Sequence, residues 1–182
     1  YGVQLVVRSS LNNNEGTIVR EEVNMEKMLV SGVAADKNAT RIAVIGLKDE
    51  PGIAFHLFNA LAKYNINVDI ILQSVGRNGT KDISFTVAED EADEAVAIIQ
   101  KSFPKSEYNK IDEEKDVAKI SIVGAGMMTH PGVAASMFEA LYDAGVNIKM
   151  ISTSEIRVTV LIDEKYTERA LNAVHDKFAL GD

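Results

Sequence analysis

Hydrophobic and polar positions follow one pattern in the first half of the chain. Residues 41–46 are apolar and β-branched, which is typical of a strand, and apolar residues then recur at helical spacing over 53–64. A hydrophobic strand is predicted over 66–72, a further strand over 83–87, and an amphipathic helix from residue 92. The order strand, helix, strand, strand, helix is the start of a split βαβ unit.

The same pattern recurs as an internal repeat. The stretch IAVIGLKDEPGIAFHLFNALAKYNINVDIILQS from Ile42 matches IVGAGMMTHPGVAASMFEALYDAGVNIKMISTS from Ile122 without a gap, at the offset that relates Gly52 to Gly132. In the second copy the strands are predicted over 146–151 and 156–162. The later strand follows at a shorter offset, so the second copy has a shorter hairpin.

Each copy needs a fourth strand to complete its unit. Residues 108–111 supply it in the first copy, and 28–35 (MLVSGVAA) is the remaining strand-like segment for the second. The sequence therefore predicts an α+β chain of two ferredoxin-like βαββαβ domains with antiparallel sheets and helices on one face. The first domain (37–113) is inserted in the second (25–36 and 114–182).

The amino-acid composition of the chain limits the kinds of partner that it is expected to bind. The 182 residues carry 19 Lys and Arg against 27 Asp and Glu, a net charge of −8, without a basic cluster. A nucleic-acid or anionic-membrane partner is therefore disfavoured. Cysteine is absent, and no apolar run approaches the roughly 18 residues of a membrane span. We expect a soluble, cytoplasmic protein that binds small molecules or other proteins.

The residues of both copies resemble the two ACT domains of aspartate kinases. The most specific parts are the Asp-Glu-Pro-Gly loop ending at Gly52 and the run Ser-Thr-Ser-Glu-Ile over 152–156, and the resemblance spans about 25–178. Upstream, LVVRSSLNNNEGTIV looks like the end of the kinase catalytic domain, so 1–24 is expected to be its tail and a linker. Met25-Glu26 resembles the internal start of a separate small regulatory subunit, although a fragment of the long chain is favoured.

The resemblance implies feedback inhibition of an ATP-dependent phosphotransferase that acts on L-aspartate. The effector would be L-threonine, alone or together with L-lysine. The chain itself has neither the family's Lys-Phe-Gly-Gly nucleotide motif nor a GxxxxGK[ST] loop, so it is expected to be non-catalytic by itself. No cofactor or metal is expected. The implied partners are a second copy, paired through the ACT domains, or the catalytic kinase subunit.

The loop of the first copy has groups that suit a free amino acid. A helix N-terminus after Pro51 presents backbone N–H groups to a carboxylate, and Asp49 is placed to accept an ammonium. Gln73, at the end of the next strand, can donate and accept hydrogen bonds. The resemblance assigns effector binding in this copy to Asp49, Gly52, Ile53, Ala54, Asn67 and Gln73.

The second copy differs in charge. Thr129-His130 stands where the first copy has Asp49-Glu50, so the anion for an ammonium is missing. Ala134 stands where the family often has a hydroxyl, which argues against a second, lysine-type site. The resemblance nevertheless implies that second-copy residues line or complete sites across an interface between two chains: Ala134, Asn147, Ile148, Thr153, Ser154 and Glu155.

Three other interpretations remain open at this point, and a metal site is disfavoured. The Pro-Gly segments are compatible with simple strand-to-helix turns in a dimerisation module that binds nothing. An ACT pair could sense another amino acid. Val-Gly-Ala-Gly over 123–126 superficially suggests a nucleotide-dependent oxidoreductase, but the third glycine of GxGxxG is missing. The three histidines have no metal-ligand spacing.

Overall fold

The computed structural model of the chain describes residues 5–7, 17–19, 30–76, 79–128 and 130–180. The strands in these ranges are β1 Leu5–Val7, β2 Thr17–Val19, β3 Gly32–Asp36, β4 Thr40–Lys48, β5 Ile71–Val75, β6 Thr80–Val87, β7 Lys110–Glu114, β8 Val117–Val123, β9 Met150–Thr153 and β10 Arg157–Asp163. The α-helices are α1 Ile53–Ala62, α2 Ala92–Ser102, α3 Val133–Asp143 and α4 Thr167–Lys177. Short 3₁₀ turns cover Glu89–Glu91, Ala125–Met128 and Glu164–Tyr166.

Two four-stranded antiparallel sheets form the body of the protein. Their strand orders are β5-β6-β4-β7 and β3-β8-β10-β9, while β1 pairs with β2. Strand β3 lies before the first repeat in sequence, yet it pairs with β8 in the second sheet, with Ala34 opposite Ser121. This pairing confirms that the first domain is inserted in the second, and it confirms the α+β class.

Two helices cover one face of each sheet, and each pair encloses its own core. In the first domain α1 buries Leu57 and Leu61 against Phe85 of β6. In the second domain Met137 and Leu141 of α3 pack in the same way. The cores follow from the pattern of the sequence, because apolar residues recur at helical spacing in the helices and alternate along the strands.

The second strand of each copy is shorter than predicted. We expected strands over 66–72 and 146–151, but they begin at Ile71 and Met150. The apolar residues before these strands have other roles. The N–H of Ile66, for example, donates to the carbonyl of Leu61, and this hydrogen bond follows the C-terminal end of α1. The fourth strands β3 and β7 also begin later than predicted. Residues 28–29 and the turn residue Asn78 lie outside the described residues, as does most of 1–24.

The two domains contact each other through a third apolar cluster. It joins the segment before β5 to the helix-free face of the second sheet, and its members are Ala39, Ile70, Val117, Met150 and Leu161. Two lysines flank this cluster. Lys119 Nζ lies 2.8 Å from carboxylate oxygens of both Asp36 and Asp69, and Lys149 contacts Glu114 and Asp163. The interface between the domains therefore combines apolar burial with ion pairs.

Among the described residues, no helix combines the length and apolar character needed to cross a lipid bilayer.

Candidate functional site

The N-terminus of α1 is open to an anion. Gly52 occupies the N-cap position with φ 95°, a left-handed conformation that glycine adopts without strain. No described side chain caps this helix end, and its first turn carries no acidic residue. Ile53 and Ala54 lie half-buried against the first core. The partial positive charge of the helix end is thus left for a ligand carboxylate.

Asp49 lies beside this helix end, but it already has a cation nearby. Lys81 Nζ of β6 is 3.5 Å from Asp49 Oδ2. The Asp49 side chain remains about half exposed, at 52%, whereas the Lys81 side chain is 20% exposed. The carboxylate that was predicted to accept an ammonium is therefore accessible and oriented by a neighbouring charge.

Strand register places Gln73 on the same side of the first sheet as Lys81. Gln73 is opposite Ile83, and Val75 is opposite Lys81. Side chains of directly opposed residues point to the same face, and Ile83 belongs to the helix-covered core. Gln73 and Lys81 therefore both point to the side on which α1 lies, at the edge of the sheet.

Asn67 lies apart from these residues. It is exposed, and it lines a groove of about 230 Å³ between the domains, together with Asp69 and Lys119. This groove does not include Asp49 or Gln73. Within one chain the predicted residues of the first copy thus form an open arrangement at the edge strand β5 rather than one enclosed cavity.

The second copy repeats part of this arrangement. Thr153 of β9 is the counterpart of Gln73 and is opposite Val158, which belongs to the second core. Thr153, Ser154 and Arg157 also line a groove of about 470 Å³ on the helix-free face of the second sheet. Thr129, the counterpart of Asp49, lies outside the described residues.

The remaining predicted residues of the second copy lie in the first turn of α3, in the segment that follows α3, and in the turn after β9. Ala134 and Ile148 pack half-buried against the second core, whereas Asn147 and Glu155 are exposed. The N–H of Ser154 donates to the carbonyl of Arg157, which closes the turn. As in the first copy, the polar groups lie along an edge strand and are open to solvent.

Sequence reasoning missed two lysines that contact the candidate site. Lys81 pairs with Asp49, and Lys119 holds Asp69 of the segment that follows Asn67. A signal for Lys81 exists in the repeat, because its counterpart is the apolar Ile156, just as the counterpart of Asp49 is the uncharged Thr129. The acidic residue and its cation are therefore lost together in the second copy.

The described residues do not favour metal or dinucleotide chemistry. Among them, no group of three or more His, Cys, Asp and Glu side chains is arranged to hold a metal ion. The glycines over 124–126 do not open a helix, because the 3₁₀ turn Ala125–Met128 and the Pro131-Gly132 turn precede α3. A dinucleotide fingerprint requires its glycine turn to lead directly into the helix.

A family model gives an independent comparison. The model described as "ACT domain" matches residues 42–103 and 120–178. These two ranges contain α1 and α2 of the first domain and α3 and α4 of the second. The match therefore covers both copies of the repeat.

Sequence relatives and solved structures are similar over most of the chain. An aspartokinase from Helicobacter pylori is 44% identical over 183 residues, which is 98% of this chain and 45% of the relative. The chain thus spans about half the length of the curated relatives that it matches. A crystal structure of aspartokinase alpha and beta subunits is 46% identical with a TM-score of 0.76, over 83% of this chain and 99% of that one.

The ligand-free regulatory subunit of aspartate kinase from Thermus thermophilus is also similar. It is 42% identical with a TM-score of 0.76, over 81% of this chain and 98% of that one. The similarity therefore extends over nearly the whole length of a solved regulatory subunit.

Proposed function

Because the chain belongs to the aspartokinase family and comprises its regulatory region of two ACT domains, we propose that it binds L-threonine, alone or together with L-lysine. Binding inhibits the kinase by feedback. Allosteric control of this kind requires that the effector bind one of two states more tightly than the other. The whole enzyme would be the ATP-dependent phosphotransferase that acts on L-aspartate.

The observation that carries the proposal is the arrangement around Asp49. A zwitterionic amino acid needs an acceptor for its ammonium and a donor for its carboxylate. Asp49 supplies the first, and the uncapped N-terminus of α1 at Gly52 supplies the second. Gln73, on the same side of the sheet, suits the threonine hydroxyl because its amide can donate or accept.

The open edge strands support a site that a second chain completes. All five residues of β5 are exposed, and Val75 is 79% exposed. Ile151 on β9 is exposed in the same way. An exposed, partly apolar edge strand is a template for pairing with another chain. We propose that ACT domains of two chains pair along these edges, which would enclose the ligand between Gln73 and second-copy residues such as Thr153.

Two partners suit these open edge strands: a second copy of the chain, which gives a homodimer, or a catalytic kinase subunit. The similar structure of aspartokinase alpha and beta subunits is compatible with the second arrangement. Sedimentation of the chain alone and mixed with a catalytic subunit distinguishes them. A Val75→Lys variant, which places a charge on the edge strand, should weaken either association.

Isothermal titration tests the effector. The chain is titrated with L-threonine, then with L-lysine in the absence and presence of threonine. Saturable heat is expected with threonine, and Asp49→Ala should abolish it while the circular dichroism spectrum is unchanged. Asp90→Ala, which removes an exposed carboxylate from the 3₁₀ turn before α2, is the matched control. Unchanged affinity in Asp49→Ala would refute the role of Asp49.

A negative titration also has a defined meaning. If the folded chain gives no heat with threonine or lysine, the threonine assignment is wrong. A panel of the other amino acids then separates a sensor of a different effector from a dimerisation module that binds nothing.

A further inference from the structure

We infer that Lys81 is an internal competitor for the effector ammonium and so sets the affinity of the first site. This inference rests on the proposed function, because it assumes that Asp49 receives the ammonium of an amino acid. Lys81 Nζ is 3.5 Å from Asp49 Oδ2, so this carboxylate already has a cationic partner within the chain. A ligand ammonium that binds Asp49 would compete with it.

The position of Lys81 is fixed by the strands around it. Lys81 is opposite Leu47, whose side chain is buried in the first core, and opposite Val75 on the other side. It therefore points to the helix-covered side, where β4 leaves the sheet toward Asp49. Its side chain is 20% exposed, so the stem packs against protein while the ammonium reaches the loop.

A β-bulge in β4 holds this register. The pairing of β4 with β6 shifts between Val44 and Leu47, where Gly46 has φ 74°. The N–H of Gly46 donates to Asp82 Oδ1 at 2.8 Å. Bulges re-aim the side chains that follow them. Because Asp82 is the next residue after Lys81, the same hydrogen bond anchors β6 beside the competitor.

The repeat supplies an independent argument. In the second copy Thr129 replaces Asp49 and Ile156 replaces Lys81, so neither charge remains at these positions. A lysine whose only role was to pack against the sheet would not have to disappear together with the acid. The joint loss fits a lysine that acts on Asp49.

The test is the affinity for L-threonine in Lys81→Met and Lys81→Arg, measured by isothermal titration. Methionine keeps the packing of the stem and removes the competitor. Exposed ion pairs change an equilibrium constant by about 1.5- to 5-fold. Lys81→Met should therefore bind threonine about 1.5- to 5-fold more tightly than the wild type. Lys81→Arg, which keeps the charge and can pair with a carboxylate through two N–H groups, should bind no more tightly than the wild type.

Lys48→Met is the matched control. Lys48 is the exposed last residue of β4 and lies next to Asp49 in sequence. Lys48→Met therefore changes the net charge near Asp49 by the same amount as Lys81→Met. The control should not reproduce the gain of Lys81→Met. An equal gain in both variants would show a general charge effect and overturn the inference, as would unchanged or weaker binding in Lys81→Met.

The outcomes separate this inference from the proposed function. If the wild type binds threonine and Asp49→Ala loses binding, but Lys81→Met does not gain affinity, only the role of Lys81 is wrong. If the wild type gives no saturable heat with threonine, both the proposed function and the role of Lys81 are overturned.

Discussion

Replacing Lys119 by methionine should loosen the contact between the two domains. Lys119 lies on β8 of the second domain, and its Nζ is 2.8 Å from carboxylates of Asp36 on β3 and Asp69 before β5. Only 13% of the Lys119 side chain is exposed. The substitution removes one of the two lysines that form ion pairs between the domains, keeps the packing of the stem, and leaves two carboxylates that repel each other.

The size of the effect follows from the exposure of the carboxylates. The Asp36 and Asp69 side chains are 51% and 47% exposed, so water can solvate them once the lysine is gone. The loss in the free energy of unfolding should therefore stay well below the roughly 3–5 kcal/mol that breaking a buried ion pair costs. Two partly exposed pairs, each contributing up to about 1 kcal/mol, predict a loss of about 1–2 kcal/mol in the free energy of unfolding.

Urea denaturation followed by circular dichroism measures this loss. Lys105→Met is the control, since Lys105 is an exposed lysine in the turn after α2. Equal midpoints for Lys119→Met and Lys105→Met would refute the stabilising role of Lys119. A double-mutant cycle with Asp69→Asn isolates the interdomain pair, and strictly additive effects would show that Lys119 and Asp69 do not interact.

The same ion pairs predict a pH window. Burial lowers the pKa of Lys119, but hydrogen bonds to Asp36 and Asp69 outweigh it and raise the pKa above its ordinary 10.5. Burial raises the pKa of Asp36, but the hydrogen bond from Lys119, the backbone hydrogen bond from Asn38 and the charge of Lys119 together outweigh it and lower the pKa below its ordinary 3.8. The stabilisation is therefore complete between about pH 4 and 10. It is lost as the pH falls through the pKa of Asp36 or rises through that of Lys119, and Lys119→Met should flatten both flanks.

Two further substitutions have matched controls, and urea denaturation measures each. Thr86→Val should lower the free energy of unfolding by about 1–3 kcal/mol, because the buried Oγ1 of Thr86 accepts a hydrogen bond from a backbone N–H. Its control, Thr40→Val, should leave the free energy of unfolding unchanged or raise it slightly, because the buried Oγ1 of Thr40 has no partner within the described part of the chain. Gly46→Ala should cost about 2 kcal/mol or more, since φ is 74° and the new Cβ would lie 2.1 Å from Asn109 Nδ2. At Gly32→Ala no atom of the described residues lies within 4 Å of the new Cβ, so the strand should be unaffected or slightly more stable. Equal costs within either pair would contradict these explanations.

The repeat made most of the fold predictable. The two copies of the repeat predict the same order of elements, and the shortage of a fourth strand in the second copy leads to β3 and the inserted arrangement. Helix ends were also readable from sequence. Asn65 and Gly145, which were expected to tolerate a left-handed conformation, have φ 59° and 66°.

The start of the second strand was not predictable from apolar pattern. Ile66 and Ile70 are apolar, as strand residues would be, but each fills a different core: Ile66 packs at the end of α1, and Ile70 packs in the cluster between the domains. Hydrophobicity shows that a residue is buried but not against which element. The ion pairs of Lys119 were not predictable either, because their partners are far away in sequence.

The segment from Asn67 to Gln73 links the proposed site to the domain interface. Asp69 and Ile70 in its middle contact the second domain, while buried Thr86 accepts the N–H of both residues, through its carbonyl and its Oγ1. This segment of seven residues therefore has predicted effector-binding residues at both ends and interdomain contacts at the centre. Asp69 at the centre of the segment forms an ion pair with Lys119. A ligand that moves the ends of the segment would therefore also strain this ion pair. The proposed effector would thus alter the relation of the two ACT domains through local geometry, without any longer pathway across the cores.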